Sequence, residues 1–104
     1  MTSENSKQEC IFCAIVEGKI GSAKIYEDEF VLGVLDIMPA SKGQAIIIPK
    51  KHIFVSGQMD EKLGGHLFNV ANKVASILFE VTGATGTNLV ISNGTSAGQK
   101  TNHM

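Results

Sequence analysis

A chain of 104 residues has room for one hydrophobic core and not for two. With 43% hydrophobic and 18% charged residues, it has the composition of a folded globule rather than a disordered segment. A formal net charge of -1 offers no cationic face to nucleic acid or to an anionic membrane, so neither is expected as a partner. No apolar run approaches the roughly 18 to 20 residues that a bilayer-spanning helix needs. The opening MTSENSKQE has no basic-then-apolar leader pattern, which points to the cytoplasm, and residues 1–9 are polar with nothing to pack, so they are expected to be disordered.

In CIFCAIVEGK, residues Ile11, Phe12, Ile15 and Val16 share one helical face and Gly18 offers a stop, which predicts a short helix. Cys10 and Cys13 are spaced so that both sulfurs can face one ion, and His52, His66 and His103 are possible partners. A reducing compartment favours metal or redox chemistry over a structural disulfide. Two other readings stay open on spacing alone. The thiols can be small apolar groups packed beside Phe12, or a dithiol redox couple, although such a couple normally follows a strand and none precedes it here.

From Ala23 to Ile37, two apolar runs flank Glu27-Asp28-Glu29, which predicts a hairpin. The loop MPASKG then leads to QAIIIPK, a third strand whose Ile46-Ile47-Ile48 triple suits a buried position and which Pro49 ends, having no N–H to give a ladder. His52 follows in IPKKHI, where nothing local buries or partners it, so its role stays undecided. Between Asp60 and Val81, the residues Leu63, Leu67, Val70, Val74, Ile77 or Leu78, and Val81 recur at helical steps. Asp60 is placed to cap this long helix, Gly83 to end it, and Gly64-Gly65 to weaken its first turns. His66 falls at the border of the apolar face and reads as an ordinary helix histidine. TNLVISNG supplies a predicted fourth strand, and GTSAGQKTNHM is small, polar and glycine-containing. The elements together predict an α+β fold: a mostly antiparallel sheet of four strands, one long helix on a face of it, and a short N-terminal helix.

The run DIMPASKGQAIIIPKKH, residues 36–52, resembles the histidine-triad (HIT) family pattern of Asp-Ile, a proline loop, a glycine, an apolar strand and Pro-Lys-x-His. NLVISNGTSAGQ, residues 88–99, is similar to the glycine-glutamine phosphate loop of that family, and CIFCAIVEG completes three motifs in family order. The resemblance implies a HIT-like fold in which residues 10–104 form an incomplete domain with its fifth strand missing. His103 falls where the first triad histidine belongs, and the second and third are absent from the chain.

Family members hydrolyse or transfer nucleoside monophosphates from dinucleoside polyphosphates or phosphoramidates through a nucleotidyl-histidine. With no catalytic residue of that kind present, this chain as written is expected to be inactive, and the alternative is a zinc-stabilised nucleotide-binding or interaction protein. The resemblance places Asp36 at the ribose hydroxyls, Val34 and Ile37 at the base, and Gly98 and Gln99 at the phosphates of a purine nucleotide such as AMP. Ser92 stands where many relatives have an amide that reaches the ribose, and Gln44 where many have a histidine. The resemblance further implies a structural zinc on Cys10, Cys13, His52 and His103, and a homodimer formed through the long helix and the fourth strand.

Overall fold

The computed structural model describes residues 10–35, 44–99 and 103. Helix α1 spans Ile11–Val16 and is started by Cys10, whose Sγ accepts the Cys13 N–H at 3.3 Å. Gly18, at φ 81°, takes the left-handed conformation that a side chain would resist, and the chain turns away there.

Three strands follow: β1 Lys24–Glu27, β2 Val31–Leu35 and β3 Ala45–Pro49. They form one antiparallel sheet in the order β1-β2-β3, with Val31 opposite Pro49 and Leu35 opposite Ala45. The hairpin and the third strand therefore stand as the sequence predicts. Asp28 makes the β1–β2 turn, its Oδ1 accepting the N–H groups of Phe30 and Val31 at 2.8 Å each, as a turn-forming carboxylate does. Its Oδ2 accepts the Tyr26 hydroxyl at 2.7 Å and Nε2–H of His66 at 2.6 Å, so one side chain ties the turn to the long helix.

That helix, α2, spans Glu61–Thr82. Asp60 Oδ1 accepts the Leu63 N–H at 2.8 Å to cap it, and Gly83 at φ 71° ends it, both at the positions the sequence marks.

Strand side chains alternate between faces, so the sheet has two distinct cores. On one face Val31 packs with Leu67, Val70 and Val74 of α2, joined by Tyr26 and Ile47. On the other, Leu32, Val34 and Ile48 pack with Phe12, Ile15 and Val16 of α1. Strand β2 is thus buried on both sides through Val34. Gly33 sits in its middle because a Cβ there would come within 3.0 Å of Ile47 Cδ1.

The predicted fourth strand has no place in the sheet among the described residues. Among the described residues the sheet has three strands, and Leu89, Val90 and Ile91 are 49%, 81% and 60% exposed. Strand preference measures how well a side chain fits a half-buried pleated surface, and nothing described here buries this segment. The α+β class stands, with one strand fewer than predicted among the described residues. Among the described residues no helix is long and apolar enough to cross a membrane.

Burial acts to raise the Asp28 pKa. The bonds from Tyr26, Phe30, His66 and Val31 outweigh it and hold the carboxyl well below the usual carboxylate range. A folded-state pKa below the unfolded one gives stability that is present at neutral pH and lost as pH falls below about 4. Asp28→Asn is therefore expected to lower the unfolding free energy by about 1–2 kcal/mol at neutral pH. Urea melts should show the gap to the parent chain closing as pH drops below about 4.

Candidate metal centre and adjoining glycine loop

Cys10 and Cys13 lie three residues apart across the first turn of α1, a spacing that sets both sulfurs on the same side. Both are thiols and both are buried. His52 lies just past β3, and its Nδ1 is 3.1 Å from Cys13 Sγ. His103, only 1% exposed, places Nδ1 at 3.3 Å from Cys10 Sγ and 3.4 Å from Cys13 Sγ. One ligand atom from each of these four residues lies within 4.8 Å of every other.

The ring of His103 is oriented by what surrounds it. Its Nε2 sits 2.8 Å from the Pro49 carbonyl oxygen, which can only accept, so Nε2 carries the proton and Nδ1 turns its lone pair to the sulfurs. Phe12 and His52 each meet the His103 ring edge to face, with centroids at 5.8 and 5.0 Å. Burial, reinforced by the His52 charge, pushes the His103 pKa down against the opposing pull of the Pro49 bond. A neutral imidazole with an exposed lone pair is the form that binds a metal.

A tetrahedral zinc with Zn–S near 2.3 Å and Zn–N near 2.05 Å holds sulfur and nitrogen about 3.6 Å apart. The three sulfur–nitrogen separations of 3.1, 3.3 and 3.4 Å match that within about half an ångström. Two thiols and two imidazoles are also the donor set that zinc favours, and all four positions would be filled by protein.

Beside this centre lies a loop in which Gly94 and Gly98 take φ of 89° and 96° around a 3-10 turn, Thr95–Ala97. The Gly94 carbonyl accepts the N–H groups of Ala97 and Gln99 at 3.1 Å each. The Gln99 side chain turns inward: Oε1 accepts the Gly94 N–H at 2.6 Å, and Nε2–H donates to the Phe54 carbonyl at 2.6 Å. Asn93 meets the same neighbouring segment, its Oδ1 accepting the Ser56 N–H at 2.8 Å and its Nδ2–H donating to Ser56 Oγ at 2.9 Å.

The structure therefore brings together Cys10, Cys13, His52 and His103, and separately gathers Gly98 and Gln99 in one bonded loop. Val34 is a core residue on the α1 side of the sheet, 3% exposed, and Ser92 is half-buried at the entry to the loop. Asp36 and Ile37 lie outside the described residues. Sequence reasoning missed the Asp28–His66 pair and the Asn93–Ser56 contact, whose partners stand 38 and 37 residues apart with no local pattern to link them.

Three-stranded sheet, long helix and a Cys2His2 cluster define a small α+β protein whose chain is pinned near both of its described extremes. The family described as the HIT domain matches residues 17–104, and the chain belongs to that family. It is 40% identical to "Protein hit" of Bacillus subtilis over 96 residues, covering 92% of this chain and 66% of that protein. The adenosine 5'-monophosphoramidase hnt1 of Schizosaccharomyces pombe is 34% identical, over 91% of this chain and 68% of its own length. A crystal structure of a zinc-bound histidine triad family protein from Mycobacterium smegmatis superposes with a TM-score of 0.88 at 34% identity, covering 94% of this chain and 71% of that one. The chain thus spans about two thirds of the length of these relatives.

Titrating the reduced chain with Co2+ is expected to give the visible bands of a tetrahedral ion with thiolate-to-cobalt charge transfer, saturating at about one ion per chain. Cys13→Ser should weaken those bands sharply, and an octahedral, thiolate-free spectrum from the parent chain would rule the four-residue centre out.

Proposed function

We propose that this chain is the nucleotide-binding part of a HIT protein, stabilised by a structural zinc. The observation that carries the reading is the gathering of Cys10, Cys13, His52 and His103, with the glycine loop bonded to the segment that follows His52, in a chain of this family. Zinc held by those four residues would tie α1 and the segment after β3 to residue 103, which stands 93 positions from Cys10. Its contribution would be to folding, with no coordination position left for substrate.

The ligand we propose is a purine nucleoside monophosphate such as AMP. Val34 and Ile37 would contact the base, Asp36 would accept hydrogen bonds from the ribose hydroxyls, and Ser92, Gly98 and Gln99 would meet the ribose–phosphate end. A relative that acts as an adenosine monophosphoramidase supports this choice. For the whole protein, the proposed activity is hydrolysis or transfer of a nucleoside monophosphate from a phosphoramidate or dinucleoside polyphosphate. A homodimer in the cytoplasm completes the proposal.

The residues of this chain do not themselves supply a nucleophile in this reading. Of its three histidines, His52 and His103 belong to the metal cluster, and His66 bonds to Asp28 on the α2 side of the sheet, opposite α1. The 104 residues are therefore proposed to bind a nucleotide without turning one over.

Calorimetry with AMP is expected to show binding to the zinc-loaded chain, and Asp36→Ala to weaken it about tenfold through the loss of hydrogen bonds to a charged acceptor. Removing zinc with a chelator should lower the midpoint of thermal unfolding by several degrees. Incubation with adenosine 5'-phosphoramidate should release no AMP. Steady release from the parent chain would reverse the claim about turnover.

A further inference from the structure

We infer that Asn93 is a positioning residue that presets the glycine loop for a phosphate group, acting through Ser56 and not by touching the ligand. The inference rests on the nucleotide-binding reading above. Ser92 stands at the position where, by the family resemblance, an amide side chain reaches the ribose, and here the amide sits one residue later. Asn93 spends both ends of that amide on Ser56, accepting its N–H at 2.8 Å and donating to its Oγ at 2.9 Å.

The loop that follows has reason to need such a tether. Gly94 and Gly98 both hold positive φ, 89° and 96°, and glycine loses more conformational freedom on ordering than any other residue. At its far end Gln99 closes the loop onto Gly94 and bonds to the Phe54 carbonyl. Both ends of the loop are thus fastened to one short segment: Asn93 to Ser56 and Gln99 to Phe54. Gln58 stiffens that segment in turn, its Oε1 accepting the N–H groups of Phe54 at 2.8 Å and Val55 at 3.4 Å. A loop held at one end only would have to be ordered by the incoming phosphate, and that ordering would be subtracted from affinity. Holding both ends lets the loop meet the anion already shaped.

The effect should fall on the phosphate end of the ligand and spare the base and ribose. The test compares AMP with adenosine, by NMR-detected titration of the zinc-loaded chain, for the parent, Asn93→Ala, Ser56→Ala and the double variant. Asn93→Ala is expected to weaken AMP about five- to tenfold while adenosine affinity stays within error, which also shows that the variant is folded. Ser56→Ala should act in the same direction but less, since its backbone N–H remains, and the double variant should be no worse than Asn93→Ala alone. Amide exchange at Ser56 should speed up in Asn93→Ala without any ligand. Equal weakening of AMP and adenosine, unchanged AMP affinity, or unchanged exchange at Ser56 would each overturn the inference. A parent chain that binds neither compound would sink the nucleotide reading itself, and the inference with it, which separates the two failures.

Discussion

The bond from His103 Nε2–H to the Pro49 carbonyl is the contact on which the centre of this molecule depends. Proline ends β3 because it has no N–H, yet its carbonyl remains, and that carbonyl decides which nitrogen of His103 is protonated. The other nitrogen then faces two thiols that arrive from the opposite end of the chain. An imidazole buried without such a partner would leave a polar N–H unsatisfied, at a cost of about 1–3 kcal/mol. The residue that stops the strand thus also orients the ring that gathers the cysteines.

The two faces of the sheet carry different duties. The α2 face is scaffold, with an apolar row of Leu67, Val70 and Val74 against Val31, and Asp28 bonding both its own turn and His66 at the edge. The α1 face bears Val34 and places Cys10 and Cys13 above the end of β3. Because β2 is buried on both sides, the two halves share one strand and a shift of that strand would disturb both. Gly33 keeps the middle of that strand open to the Ile47 side chain, which a Cβ there would meet at 3.0 Å.

A short span of chain after β3 links the cysteine–histidine cluster to the glycine loop. His52 contributes to the cluster, and within a few residues Phe54 and Ser56 receive Gln99 and Asn93. The loop and the cluster therefore both fasten the segment after β3 to residues 93–103, the loop by amide hydrogen bonds and the cluster through the α1 thiols, which meet His52 on one side and His103 on the other. Each fastening shortens the stretch of chain that the other must order.

Elements governed by local rules were legible from the residues. The 3.6-residue spacing, the Asp60 cap and the Gly83 stop mark α2, and the Glu27-Asp28-Glu29 break and Pro49 mark the hairpin and the end of β3. Composition and spacing also singled out Cys10 and Cys13, although they left open whether the pair served metal, redox chemistry or packing. The family resemblance named His52 and His103 as partners of the thiols, which composition and spacing left open, and the tertiary structure brings the four together. What only the tertiary structure decided were the other pairings between residues far apart: His66 with Asp28, Asn93 with Ser56. It also decided that TNLVISNG, strand-like in composition, finds no ladder partner among the described residues. Helices, caps and turns are settled by neighbours within a few positions, which a sequence displays directly. Long-range contacts and strand pairing depend on which surfaces the fold brings face to face, and no local pattern encodes that.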